Sequence, residues 1–176
     1  MLELQNYVDK ALAAGMTRAR IIDTKNIFVA NWVRLKCQYG CGGYRKRLSC
    51  PPYSPTPEYT RKMISEYKKA MLMQIEKIKP AAEARMSRML KKIIVSLERE
   101  FFLDGYYKAF GMTSGPCRIC RTCDTTKPCE FPYEARPAME ACGIDVYMTA
   151  RANGFELEVV KTEDSCCTCN GLLLIE

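Results

Sequence analysis

The sequence has no histidine, and it has no run of apolar residues long enough to cross a membrane. Because catalytic zinc sites usually contain histidine, its absence argues against a zinc enzyme. Residues 1–15 carry Glu3 and Asp9 among their apolar positions, so we expect no secretory signal there. The sequence therefore predicts a cytoplasmic protein without a membrane segment. A GxGxxG pattern after a strand and a P-loop are also missing, which argues against nucleotide and flavin binding.

Cysteine is the residue in excess, with 11 among 176 residues. In a small secreted protein such a count would indicate disulfide bonds. Here the number is odd and the cysteines are clustered, which is more typical of metal binding in the cytosol. Because the only soft metal ligands in the chain are cysteine and methionine, with no histidine, the composition favours iron–sulfur clusters or zinc held by cysteine alone.

The net charge of +7 counts every cysteine as neutral. Four thiolates around an oxidised [4Fe–4S] core give a site of charge about −2, so two such sites would lower the total to about +3. The basic excess is therefore weak support for nucleic-acid binding, and we do not expect nucleic acid to be the partner.

The densest cysteine group lies in "GPCRICRTCDTTKPCEFP", residues 115–132. Cys117, Cys120 and Cys123 follow the C-x2-C-x2-C pattern that binds three corners of a cubane cluster in bacterial-type ferredoxins. Cys129 is either the fourth ligand or a ligand of another site. Zinc, a disulfide or unreactive thiols are the alternatives, but zinc sites usually separate two CxxC pairs by a longer insert. The group predicts an iron–sulfur cluster.

A second group, in "CQYGCGGYRKRLSCPP", contains only three cysteines: Cys37, Cys41 and Cys50. Either a remote cysteine completes this site, or one iron stays open and can bind a substrate atom as a Lewis acid. The basic residues at 45–47 form a solvated turn, or they neutralise the cluster or an anionic partner.

Four cysteines remain. Cys142 is more simply explained as a small buried apolar residue than as a ligand. Cys166, Cys167 and Cys169 in "DSCCTCNG" can complete the second site, form a third site with Cys142, or act as exchange-active thiols. The cysteines predicted to bind a cluster are Cys37, Cys41, Cys50, Cys117, Cys120, Cys123, Cys129, Cys167 and Cys169; Cys142 and Cys166 are added as candidate metal ligands.

Helical and strand patterns alternate loosely along the chain. They predict one α+β (or α/β) domain over residues 1–176, with a mixed sheet flanked by helices and two cysteine-rich cluster-binding loops. The predicted helices cover residues 2–14, 58–69, a long segment from Pro80, and 134–152 in two pieces broken at Gly143. The predicted strands lie within 20–37, 70–76, 105–113, 155–160 and 171–176.

Three stretches carry a family resemblance: "VRLKCQYGCGGYRKRLSCPPYSPTPEYTRKMISEYKKAML", "GPCRICRTC" with "KPCEFPYEARPAMEACGIDV", and "GFELEVV". Together they resemble a domain-of-unknown-function family of small cysteine-rich predicted metal-binding proteins, mostly of anaerobic archaea and bacteria. The resemblance runs from about residue 30 onward. It implies an anaerobic cytoplasm and no assigned reaction, and its pattern leaves out Cys142 and the cysteines at 166–169. The metal ligands that it implies are Cys37, Cys41, Cys50, Cys117, Cys120, Cys123 and Cys129.

We therefore predict an iron–sulfur protein with two [4Fe–4S] clusters that transfers electrons to or from a redox partner protein. One alternative is an enzyme whose open cluster at Cys37, Cys41 and Cys50 acts on a small anionic or sulfur-bearing substrate held by nearby arginines. Others are an iron–sulfur carrier and a zinc-binding module. The sequence does not decide whether the protein is an enzyme, nor its oligomeric state, for which a homodimer is one option.

Overall fold

The computed structural model describes residues 2–176, with the backbone alone for Leu2. Within these residues the chain forms five α-helices and four β-strands. The helices are α1 (Leu2–Ala13), α2 (Asn31–Gly40), α3 (Pro57–Ile64), α4 (Glu83–Leu103) and α5 (Val146–Ala152). The strands are β1 (Arg18–Asp23), β2 (Lys69–Ile78), β3 (Phe110–Met112) and β4 (Cys167–Leu174). None of these helices is both long and apolar enough to cross a membrane.

The four strands form one sheet in the order β1-β2-β4-β3, and every neighbouring pair is antiparallel. The α+β class is therefore confirmed, but the predicted mixed pairing is not what forms. Strands β2 and β3 do run parallel to each other, because α4 connects them as a crossover. The last strand, β4, lies between them and is antiparallel to both. The helix–strand alternation cannot reveal this late insertion.

Helices cover both faces of the sheet. One layer packs α1 and α4 against alternate residues of the central strands, among them Met71 and Met73 of β2 and Leu173 of β4. The intervening residues, such as Leu72 and Leu172, face the opposite layer, which contains α3 and α5. Because both faces are buried, the central strands are apolar along most of their length.

Two glycines bring α4 close to the sheet. A Cβ atom built at Gly111 of β3 or at Gly171 of β4 would overlap the Ile94 side chain. The predicted long helix is present, with Pro80 in a short 3-10 turn before it. Because α4 sits tightly on β3 and β4, its middle turns lie directly above the segments that carry the later cysteines.

The segment 20–37, predicted to hold one or two strands, holds the end of one strand, β1, and then a helix, and the strand predicted at 155–160 is wrong. Residues 31–40 form α2, so Cys37 leaves from the last turn of a helix and not from a strand end. In residues 155–160, Phe155 and Leu157 are buried in alternation as a strand requires, but no neighbouring strand pairs with them. Their backbone is bound by side chains instead: Gln74 donates to the carbonyl oxygen of Glu156 at 2.9 Å. Packing and side-chain hydrogen bonds thus replace a ladder.

Candidate metal centres

The four cysteines of the later group border one small cavity. All four are half-buried and surround a space of about 20 Å³ within the loop that follows β3 in the chain: Cys117, Cys120, Cys123 and Cys129. Ile119, Phe131 and Ala135 form apolar parts of its wall. The C-x2-C-x2-C spacing and the cysteine that follows it therefore meet at a single place.

An arginine from the earlier cysteine loop holds this later loop. The Nη1 atom of Arg47 donates to the carbonyl oxygen of Cys120 at 2.8 Å, and Nη2 donates to that of Arg121 at 3.4 Å. Arg47 also borders the cavity of the four cysteines. Of the three basic residues at 45–47, Arg47 therefore connects the two cysteine loops by hydrogen bonds.

An ion pair anchors the far end of the later loop to α4. The guanidinium group of Arg136 donates to both carboxylate oxygens of Glu98, at 2.7 and 2.5 Å. Oxygen Oε2 of Glu98 also accepts the backbone N–H of Gly111 at 2.7 Å. Both charged side chains are largely buried, at 14% and 13% exposure. This bidentate pair fixes residues 129–136 to the helix and to β3.

The earlier group borders a much larger cleft. Cys37 comes from α2, Cys41 and Cys50 come from the loop after it, and all three line a cleft of about 610 Å³. A Cβ atom built at Gly43 would lie 3.6 Å from Sγ of Cys41 and 3.7 Å from Sγ of Cys50. Two of the three sulfurs therefore approach the same point, and a glycine leaves that point free.

Backbone geometry shapes this earlier loop around its sulfurs. The N–H of Gly43 donates to Sγ of Cys41 at 3.4 Å, the type of hydrogen bond that stabilises a metal-bound thiolate. Arg45 adopts a left-handed φ of 60°, which is uncommon for a residue other than glycine. Its N–H donates to the carbonyl oxygen of Pro51 at 2.8 Å and closes the loop between Cys41 and Cys50.

Burial keeps the free thiols protonated. Desolvation raises the pKa of Cys37 to about 11, and the neighbouring Cys41 and Glu140 add to this shift, while Arg34 opposes it. Desolvation also raises the pKa of Cys50. A metal that binds here must displace protons, so its affinity increases with pH.

Lys91 of α4 lies between the two cysteine groups. Its ammonium group donates a hydrogen bond to the carbonyl oxygen of Pro116, next to Cys117. Burial lowers the pKa of Lys91, whereas the thiolates of Cys117 and Cys50 favour its charged form. The half-buried ammonium group of Lys91 therefore lies near a cysteine of each group, and near Cys169 as well. The sequence does not single out Lys91, because α4 contains several lysines and arginines and the sequence does not show which of them is buried.

Glu140 is a second group that sequence reasoning missed. It lines the cleft of the three cysteines, and its Oε2 atom is buried with no hydrogen-bond partner among residues 2–176. Burial raises the pKa of this carboxyl group. Sγ of Cys37 lies 3.9 Å from the carbonyl oxygen of the same residue. The only sequence signal was one acidic residue within the apolar stretch "PAMEACGI".

The remaining cysteines do not border either cavity. Cys142 is fully buried in the layer that contains α3 and α5, and burial raises its pKa to about 12. Cys166 is exposed before β4, while Cys167 and Cys169 lie two residues apart on that strand and pack on its α4 side. Cys169 opposes Ile75 of β2 in the sheet. None of these four residues borders either cavity, although Cys142 lies near Cys37 and Cys169 lies near Lys91.

Neither cysteine group is arranged to hold a single metal ion among the described residues. Within the described chain, no three or more cysteine, aspartate or glutamate side chains converge closely enough to hold one metal ion. Tetrahedral zinc requires sulfurs at about 2.3 Å from a common centre. The donor set of the later group, a C-x2-C-x2-C run followed by a fourth cysteine, is the type that binds a [4Fe–4S] cluster. The cavity between these four thiols has room for about one water molecule, so the loop must open to admit a cluster.

A basic groove runs between the two cysteine loops. Its cationic side chains come from both loops, and Cys123 of the later group forms part of its wall; the groove measures about 590 Å³. Arg118 is also 3.8 Å from Glu83, the one ion pair that these cations make within the described residues. No acidic residue is among those that border the groove. The cations are Arg45, Lys46, Arg47, Arg118 and Arg121.

Comparison with known proteins gives one match. A family model described as a predicted metal-binding protein, DUF2284, matches residues 20–175. This confirms the metal-binding family that the sequence motifs suggested, and the matched range contains every cysteine of the chain. The comparisons with curated proteins and with solved structures found no match.

Proposed function

Since the chain belongs to the DUF2284 family of predicted metal-binding proteins, we propose that it is an iron–sulfur protein that transfers electrons through two clusters. The observation that carries this proposal is the arrangement of the cysteines in two neighbouring groups around two cavities. Cys117, Cys120, Cys123 and Cys129 would hold one cluster, and Cys37, Cys41 and Cys50 would supply three ligands to the other.

The clusters, when bound, supply one-electron redox chemistry, and the chain tunes and insulates them. Gly43 donates a hydrogen bond to a ligand sulfur, which stabilises negative charge on it. Lys91 places a cation beside both groups and offsets part of the negative charge of two thiolate-bound clusters. The apolar wall of Ile119 and Phe131 limits the access of water to the four-cysteine site.

The two groups are close enough to form one electron path. A Cβ atom built at Gly43 would lie 3.7 Å from Sγ of Cys50 and 3.4 Å from Cβ of Pro116, the residue before Cys117. Arg47 ties the loops together at Cys120. Such contact supports transfer between the clusters within one chain.

The basic groove is suited to bind the redox partner protein. Five cations from two loops and no bordering acidic residue make the groove complementary to an acidic redox protein. A partner in this groove would touch Cys123, and so the rim of one cluster site. We therefore place the electron-exchange face between residues 42–47 and 116–125.

Charged electron acceptors test this face. The reduced protein should be oxidised by anionic anthraquinone-2,6-disulfonate at a rate that falls steeply with salt, whereas the rate with cationic hexaammineruthenium(III) should rise. The double variant Lys46→Glu with Arg121→Glu should weaken or reverse both salt dependences. The matched control Lys62→Glu changes an exposed charge on α3, away from the groove, and should leave them unchanged. Equal salt dependence in all three proteins would contradict the assignment.

Anaerobic purification tests the cluster proposal itself. We expect a brown protein with about eight iron and about eight acid-labile sulfide per chain, as two [4Fe–4S] clusters require. Its absorption near 400 nm should bleach with dithionite. A colourless protein that contains stoichiometric zinc and no acid-labile sulfide would refute the proposal in favour of a zinc module.

An enzyme that acts at the three-cysteine site is the second candidate. The cleft of about 610 Å³ there is some twenty times the volume of one water molecule in the liquid, so eight cluster atoms would leave room for a small molecule. Its walls include apolar side chains such as Trp32, Val33 and Leu157. The basic residues at 45–47 border the separate groove and not this cleft, apart from the backbone of their loop. A small molecule that shifts the spectrum of one cluster only would favour this candidate.

A further inference from the structure

The three-cysteine site lacks a fourth thiolate. A cubane presents four irons, but only Cys37, Cys41 and Cys50 among the cysteines of the described chain line the cleft. Cys142 is fully buried in the core layer that contains α3 and α5, and Cys169 is buried between β4 and α4, so neither borders the cleft. The fourth ligand therefore comes from another residue type, from a bound molecule, or from one of these buried cysteines after the core has moved.

Glu140 is placed to fill this position. It lines the same cleft, and its buried Oε2 atom has no hydrogen-bond partner in the described part of the chain. Lys91 acts on this carboxyl group from a distance, but no lysine or arginine among residues 2–176 forms an ion pair with it, although such pairs are found elsewhere in the molecule. Buried polar atoms are nearly always paired, and an unpaired one calls for a missing ion or ligand.

The backbone around Glu140 is fixed to the segments that carry the cysteines. The carbonyl oxygen of Ala141 accepts hydrogen bonds from Nη1 of Arg34 in α2 and from Oγ of Ser54, both at 2.6 Å. Arg34 lies one helical turn before Cys37, and Ser54 follows Cys50 by four residues. Sγ of Cys37 also contacts the carbonyl oxygen of Glu140 at 3.9 Å. The backbone of Glu140 and the segments that carry the thiols are therefore held together.

We propose that the Glu140 carboxylate is the fourth ligand of the cluster held by Cys37, Cys41 and Cys50. This inference rests on the proposed function, since it assumes that a cluster binds there. A carboxylate carries the same charge as a thiolate, so the site keeps its overall charge. Oxygen is a harder ligand than sulfur and binds iron of a cluster less tightly than thiolate does. The corner at Glu140 would thus be the most exchangeable one, and the cleft opens beside it.

The test compares the Glu140→Gln, Glu140→Ala and Glu140→Cys variants with the wild type by iron and sulfide content, EPR and reduction potential. In the Gln and Ala variants, mild oxidation should remove one iron from one cluster about tenfold faster than in the wild type and give a [3Fe–4S] EPR signal. The other cluster should keep its signal, which also shows that the protein is folded. Glu140→Cys should retain all its iron, with a lower potential for that cluster, because thiolate donates more charge to iron.

Three controls make the result specific. Glu134→Gln changes an exposed carboxyl group in the same part of the chain and should behave as the wild type. Cys169→Ser and Cys142→Ser should also keep both clusters. If the Glu140 variants match the wild type, or if a Cys169 or Cys142 variant loses the iron instead, the assignment of Glu140 is overturned. If the wild type contains no iron and sulfide, the proposed function fails first, and the two failures are thereby distinguished.

Discussion

Replacement of Lys91 by methionine should lower the reduction potential of the bound clusters. Methionine keeps an unbranched apolar chain of similar length in α4 and removes the ammonium group that hydrogen-bonds to Pro116. The two-cluster proposal places that charge beside ligands of both sites, Cys117 and Cys50. Because reduction adds negative charge, a nearby cation stabilises the reduced form, and its loss shifts the equilibrium toward the oxidised form.

The size of the shift follows from Coulomb's law. The ammonium group contacts the residue before Cys117, so we take a distance on the order of 8 Å to the cluster. At an effective dielectric constant of about 20, one unit charge then contributes about 2 kcal/mol. At ~59 mV for each tenfold change in a one-electron equilibrium, this corresponds to about 90 mV. Partial screening by solvent reduces the expected shift to roughly 50–90 mV.

Anaerobic redox titration followed by visible absorption and EPR measures this shift. The control is Lys92→Met, which removes an exposed charge on the solvent side of the same helix and should change the potential by no more than about 10 mV. A Lys91→Met potential within about 20 mV of the wild type, or above it, would refute the placement of a charged Lys91 between the clusters. Equal shifts in both variants would point to a general loss of charge.

Three further outcomes are expected. Cys120→Ser should halve the iron content to about four per chain, whereas Cys166→Ser, at an exposed position outside both cavities, should retain about eight. In the metal-free protein, the raised pKa of Cys37, about 11 against an ordinary 9.0, favours the folded state while the thiol is protonated. Stability should therefore decline between about pH 9 and 11 in thermal unfolding, and Cys37→Ser should flatten that decline, so an unchanged profile would contradict the burial of this thiol. Glu98→Ala leaves a buried arginine unpaired and should cost about 3–5 kcal/mol, or about 10 °C in Tm, by urea and thermal unfolding; a loss below about 1 kcal/mol would show that the ion pair is not structural.

Local sequence patterns predicted the parts of the fold that depend on neighbouring residues. The apolar stripe from Ala82 to Phe101 specifies α4, because a period of 3.6 residues places those side chains on one face. The apolar run at 70–76 specifies the buried strand β2. In the same way, two-residue spacers bring Cys117, Cys120 and Cys123 to one cavity, since a short loop cannot carry them far apart. The predicted α+β class follows from such elements.

Local patterns failed where a partner distant in sequence decides the structure. Phe155 and Leu157 alternate with exposed residues as in a strand, but no strand of the described chain pairs with them, although the edge strands β1 and β3 each have an unpaired side. Residues 31–40 are rich in strand-forming side chains, yet they form α2 and pack beside the 3-10 helix of Glu140. In both segments the intrinsic preference for strand is weak, and tertiary contacts decide which secondary structure forms.

By itself the sequence determined that this is a cysteine-rich α+β protein with two cysteine groups and a metal-binding character. The tertiary structure alone decided how those groups relate. It joined the basic residues at 45–47 with Arg118 and Arg121, placed Lys91 between the groups, and brought Glu140 to the three-cysteine cleft. The physical reason is chain separation: about 100 residues lie between Cys37 and Glu140, and the two segments meet through tertiary contacts such as the hydrogen bond from Arg34 to the carbonyl oxygen of Ala141 and the bridge between Val29 and Ile144.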